Sequence, residues 1–179
     1  MQTEIENVRA TAELLHSQAA IDAALDTMAT QINQLLAGRD PLVLCVMNGG
    51  LVTAGHLLTR LTIPLTIDAI NASRYQNKIV GDEIEWLIKP RVSLKDRTIL
   101  IIDDILDAGI TLAAIYDFCL KEGATSVYTA VLLHKDLPHK KPITADFIGL
   151  HVPDRYVFGY GMDYKGYWRN ANGIYACAE

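Results

Sequence analysis

Three carboxylates, a glycine and a threonine fall together at Asp103-Asp104-Ile-Leu-Asp107-Ala108-Gly109-Ile110-Thr111. Ile99-Leu-Ile-Ile102 before them is an apolar run of strand length, and the segment from Leu112 to Glu122 reads as a helix. A glycine-containing loop between a strand and a helix N-terminus presents free backbone N–H groups and the positive end of the helix dipole. It therefore suits a phosphate. Carboxylates beside such a cradle repel a bare phosphate, so the ligand must also bring hydroxyls, a metal ion or a proton to be removed. A sugar phosphate has that mixture. The ordinary alternatives are a solvated acidic pair at a strand end and, for Asp107, a helix N-cap. No Gly-x-x-x-x-Gly-Lys-Ser/Thr segment occurs, which argues against a P-loop enzyme.

The elements that must position these groups alternate. Ile21, Ala24, Leu25, Met28, Ile32, Leu35 and Leu36 share a helical face, with Gly38 as the expected stop. Pro41 to Met47 is a continuous apolar run, as in a parallel strand covered on both faces. After Asn48-Gly49-Gly50, Leu51 to Leu61 reads as a helix and Leu65 to Ile70 as a strand. Ala72 to Asp82 is polar and reads as a loop; Glu83 to Lys89 and Ser126 to Leu133 read as strands. This order predicts right-handed βαβ units and a mainly parallel sheet flanked by helices in an α/β fold. The N-terminal helices and the aromatic tail, residues 147–179, break the alternation. They are expected to pack as a small hood over the carboxyl ends of the strands, within a single domain spanning residues 1–179.

Bulk properties narrow the function. Half of the 179 residues are hydrophobic, enough for a substantial core, and the formal net charge is -5. That acidity disfavours a nucleic-acid binder. Cys45, Cys119 and Cys177 are scattered without metal-ligand spacing, as expected of reduced thiols in a cytoplasmic protein. The N-terminus lacks a signal-peptide pattern and no apolar segment reaches membrane-spanning length, so no membrane partner is expected.

The segment Ile99 to Thr111 resembles the thirteen-residue signature of type I phosphoribosyltransferases: a hydrophobic run, an acidic doublet, two apolar residues, then Asp/Thr-small-Gly-x-Thr. Further segments are similar to the hypoxanthine-guanine branch of that family: Met47-Asn48-Gly49-Gly50, Ser73-Arg74-Tyr75, Leu132-Leu133-His134-Lys135, and the stretch from Val152 to Arg169. The resemblance implies the type I phosphoribosyltransferase fold. It also implies transfer of the phosphoribosyl group of 5-phosphoribosyl-1-pyrophosphate (PRPP) to hypoxanthine or guanine, giving IMP or GMP and pyrophosphate, with Mg²⁺ as cofactor. A homodimer or homotetramer is implied as well. The rival readings are a PRPP-binding regulator that senses nucleotides and a transferase preferring xanthine.

The resemblance also implies residue roles. Asp103 and Asp104 meet the ribose hydroxyls directly or through Mg²⁺ and water. Asp107, Ala108, Gly109, Ile110 and Thr111 form the 5′-phosphate loop, with Asp107 also facing purine N7 as general base. Asn48, Gly49 and Arg169 meet pyrophosphate, and Ser73, Arg74 and Tyr75 belong to a mobile loop. Lys135 donates to the purine 6-oxo group, Tyr156 stacks on the base and Val157 offers backbone atoms. Asp163 lies near the purine 2-position or joins Asp103 and Asp104 at the metal. Asn48 stands where many relatives carry lysine, which removes a positive charge near pyrophosphate.

Overall fold

The computed structural model describes residues 2–74 and 84–178. In chain order the elements are α1 (Gln2–Thr11), β1 (Glu13–His16), α2 (Gln18–Leu35), β2 (Leu42–Val46), α3 (Gly50–Leu58), β3 (Thr66–Arg74), β4 (Ile84–Ile88), β5 (Thr98–Leu106), α4 (Ile110–Lys121), β6 (Ser126–Lys135), β7 (Phe147–Val152), β8 (Val157–Phe158) and β9 (Ile174–Ala176).

Six strands form one sheet in the order β4-β3-β2-β5-β6-β7. Neighbours from β3 to β7 run parallel, and β4 is antiparallel at the edge. The central strands alternate side chains between two apolar layers, as the two-residue period of a strand requires. Val43, Cys45, Leu100 and Ile102 face the layer built with Ile21, Leu25 and Met28 of α2 and Leu57 of α3. Leu42, Leu44, Ile99 and Ile101 face the layer built with Leu112, Ile115 and Cys119 of α4. Strands buried on both sides must be apolar throughout, which is why these runs stand out in the sequence.

A second, three-stranded antiparallel sheet joins the ends of the chain in the order β1-β9-β8. Phe158, Ala171 and Tyr175 form its small core with Val8, Tyr164 and Trp168. Trp168 Nε1 donates to the Ile5 carbonyl at 2.6 Å, and Arg9 lies over the Tyr175 ring, 3.7 Å from its centroid. This hood differs in extent from the expected one. The helix α2 packs on the main sheet, and β7 is that sheet's edge strand.

Other boundaries also shift. The strand expected to stop at Ile102 continues to Leu106, because Asp103, Ile105 and Leu106 pair with Val131, Leu133 and His134 of β6. The expected loop from Ala72 begins later: Ala72, Ser73 and Arg74 pair with β4 across the sheet edge. The remainder of that expected loop, with Tyr75, lies outside the described residues.

Candidate active site

The chain leaves β5 at Leu106 and enters α4 at Ile110. The turn between them needs Gly109, whose φ of +81° is a left-handed conformation that side chains disfavour. No side chain caps α4, so the first N–H groups of the helix keep their hydrogen-bonding capacity. Asp107 is not the cap. Its Oδ2 instead accepts a hydrogen bond from Lys135 Nζ at 2.9 Å. With Ala108, Gly109, Ile110 and Thr111 it lines a cavity of about 610 Å³ at the carboxyl ends of the strands, where open α/β sheets place ligands.

The opposite wall is the exit of β2, where the Met47–Asn48 peptide is cis. This wall is made of backbone at close quarters. A Cβ on Gly49 would come within 2.0 Å of Asp104 Oδ2, and one on Gly50 within 2.7 Å of the Ile102 carbonyl oxygen. From the tail, Gly161 crosses the same loop. Its φ is +109°, and a Cβ there would sit 2.1 Å from the Gly49 carbonyl oxygen. Sequence reasoning passed over Gly161; the available signal was Gly159-Tyr-Gly161 in the middle of the longest resembling segment.

Asp103 and Asp104 lie on the floor of this cavity. Asp104 is 8% exposed, and its backbone N–H donates to Asp103 Oδ1 at 2.9 Å. Burial raises the pKa of both carboxyl groups, and the charge of Asp104 pushes Asp103 further up. Hydrogen bonds and the nearby Arg169 guanidinium oppose that rise at Asp104. Two adjacent carboxylates, one half-buried and one buried, are hard oxygen donors in need of positive charge, which is the donor set that suits Mg²⁺.

Arg169 reaches the same cavity. It donates to the Gly161 carbonyl and pairs with Asp163 Oδ1, both at 2.7 Å. Asp163 Oδ2 accepts the Gly166 N–H at 2.7 Å. Arg169 and Asp163, expected as separate ligand contacts, are thus joined, and both oxygens of Asp163 are engaged. Asn48, Gly49 and Ser73 line the cavity as well. Arg74 is the last residue of β3.

A second cavity of about 260 Å³ adjoins the first and shares Asp104, Ile105 and Asp107 with it. Lys135, Tyr156, Val157, Met162 and Asp163 complete its lining. Lys135 ends β6 beside the end of β5, so its ammonium meets Asp107 across the strand ends. Tyr156 is 54% exposed, and its hydroxyl donates to the Asp163 carbonyl at 3.1 Å. Tyr164 meets it edge-on, at 79° and 5.7 Å between ring centroids. The Val157 side chain is buried in the main core.

Comparison with known proteins identifies the family of the whole chain. The family described as the phosphoribosyl transferase domain matches residues 11–165. The hypoxanthine-guanine phosphoribosyltransferase of Bacillus subtilis is 32% identical over 171 residues, covering 95% of this chain and 92% of that protein. A hypoxanthine phosphoribosyltransferase structure from Staphylococcus aureus superposes with a TM-score of 0.87 at 26% identity, covering 93% of this chain and 91% of that one. A hypoxanthine-guanine phosphoribosyltransferase structure from Bacillus anthracis gives 0.87 at 27% identity, covering 93% and 98%. Matched by the family model over residues 11–165 and by a relative 32% identical along nearly its whole length, the chain belongs to the phosphoribosyl transferase family.

Proposed function

We propose that the chain transfers the phosphoribosyl group of PRPP to N9 of a 6-oxopurine, hypoxanthine or guanine, giving IMP or GMP and pyrophosphate. The carrying observation is that Asp107, held by Lys135, stands on the wall shared by the phosphate-loop cavity and the smaller, Tyr156-lined cavity. One group thereby serves both substrates.

The backbone N–H groups from Ala108 to Thr111 bind the 5′-phosphate, and Gly109 lets it approach closely. Asp103 and Asp104 take the ribose hydroxyls and hold Mg²⁺, which when bound neutralises charge on the pyrophosphate. The Asn48-Gly49 backbone and Arg169 meet that leaving group; Asp163 orients Arg169. In the smaller cavity Lys135 donates to the 6-oxo oxygen, Tyr156 offers its ring face and Val157 its backbone. As the bond from C1′ to the pyrophosphate oxygen breaks, the N9–C1′ bond forms. The reacting purine carries its proton on N7, leaving N9 free to bond C1′, and Asp107 takes that N7 proton; holding the reactants together supplies much of the rate.

Lys135 only donates, so it accepts a ring carbonyl and rejects the amino group of adenine. The test is nucleotide formation by the purified chain with PRPP, Mg²⁺ and each purine in turn. Hypoxanthine or guanine is expected to turn over and adenine to be negligible. Comparable rates with adenine refute the assignment.

A further inference from the structure

Between β6 and β7 the chain runs through residues 136–146 without helix or strand. Of the neighbours His139, Lys140 and Lys141 in that segment, only Lys141 turns inward, and it is 9% exposed. Its ammonium donates to the Leu106 carbonyl at 2.7 Å and to the Lys135 carbonyl at 2.5 Å. Leu106 is the residue before Asp107, and Lys135 is the partner of Asp107. A third contact, at 3.4 Å, runs to His134 Nε2. An ammonium can only donate, so Nε2 accepts and the His134 proton sits on Nδ1. There it faces Asp136 Oδ1 at 3.2 Å, an oxygen that also lies 2.8 Å from His151 Nδ1. His134, Asp136 and His151 are close enough to one another to hold a metal ion. The tautomer set by Lys141 makes them a hydrogen-bonded brace instead, because the His134 nitrogen facing the cluster carries a proton.

We propose that Lys141 is a positioning residue for purine recognition: one buried ammonium ties the end of β5 to the end of β6 and so fixes the spacing between Asp107 and Lys135. The inference rests on the purine-transfer reading above. Burial lowers the pKa of Lys141, and the charges of Asp107 and Asp136 oppose that shift. Its Cβ lies beside Gly109, at 3.5 Å from where a Cβ on that glycine would stand, so the stem supports the phosphate loop while the ammonium serves the purine side.

Lys141→Met keeps the stem and removes all three donors; Lys141→Gln keeps a neutral donor. Initial-rate kinetics on the intact chain should show the hypoxanthine KM raised about tenfold in Lys141→Met and by an intermediate factor in Lys141→Gln. The PRPP KM should stay within about twofold of the parent. An unchanged hypoxanthine KM in Lys141→Met, in a parent that turns hypoxanthine over, overturns the positioning role and leaves the function standing. Equal rises in both KM values also overturn it, since a general loosening of the site moves both. Failure of both variants to fold shows Lys141 to be structural and overturns it too. A parent inactive with every 6-oxopurine overturns the function and the proposal together.

Discussion

At the scale of single residues, the proposed chemistry turns on the partner of one carboxylate. Asp107 lies in a loop rich in backbone donors, yet its side chain bonds Lys135 and leaves α4 uncapped. Asp107→Asn preserves size and an acceptor for Lys135 but cannot take a proton at neutral pH. Turnover is expected to fall by about 10²–10⁴-fold with the PRPP KM changed much less; parent-like turnover in a folded Asp107→Asn protein assigns the proton to another group. Gly161 makes a different prediction from the same scale. A methyl group there meets the Gly49 carbonyl at 2.1 Å in a left-handed backbone, so the loop beneath must move. Gly161→Ala should therefore raise the PRPP KM by about tenfold or more although Gly161 is outside the signature. Steady-state kinetics with PRPP varied at saturating purine measures it. The signature residues were legible because their chemistry is local: carboxylates, glycine and threonine within one turn of chain. Gly161 was not, since its constraint is a backbone more than a hundred residues away.

Elements were legible in proportion to their burial. The strands β2, β5 and β6 face apolar layers on both sides and announce themselves as unbroken apolar runs. Glu13-Leu-Leu-His16 has no such run, and its partner β9 is at the other end of the chain, so β1 left no pattern to read. Likewise Asp163 and Arg169 look independent in sequence; the Tyr164–Tyr167 bridge folds the chain between them and brings them into contact. The sheet edge supplies an element-scale prediction. Asp68 of β3 accepts the Ala69 N–H through Oδ1 at 2.8 Å. Its Oδ2 accepts Arg91 N–H at 2.7 Å and Val92 N–H at 3.3 Å, pinning the connection from β4 to β5. Burial works to raise the Asp68 pKa, but these backbone donors outweigh it and hold the group below its ordinary value. The unfolded chain then binds more protons than the folded one as pH falls through that range. The stabilisation is present above the ordinary carboxylate pKa and lost as pH drops through the lower folded value. Asp68→Ala is expected to cost about 1–3 kcal/mol at neutral pH. The gap between thermal melts of parent and variant should narrow as the pH is lowered below the ordinary carboxylate pKa, and a gap that persists undiminished there shows that the carboxylate charge is not what holds the connection.

For the whole molecule, the sheet divides the apolar interior into two layers that share their strands. Cys45 lies in the layer covered by α2 and α3, and Cys119 in the layer covered by α4. Burial, followed by the charges of Asp103 and Asp104, pushes the Cys45 thiol up to about 11. Burial pushes Cys119 up to about 12. Cys177 belongs to the hood and is half-buried; its pKa is also raised by burial, but the Arg155 charge draws it back. Because the thiolate is the reactive form, a thiol at about 11 offers roughly one reactive group in a thousand at pH 8. Cys177 should therefore be the first site alkylated in the native chain. The two inner layers are expected to open together, since β2, β5 and β6 contribute side chains to both and lose support on one face when the other is stripped. Alkylation across a denaturant series, read by peptide mass spectrometry, should show Cys45 and Cys119 becoming reactive together at the global unfolding midpoint. Labelling of Cys45 at the rate of Cys177 in native buffer, with Cys119 still protected, would instead mean that α2 and α3 lift from the sheet while α4 stays in place, uncovering the face of β2 and β5 that carries Cys45 and Ile102.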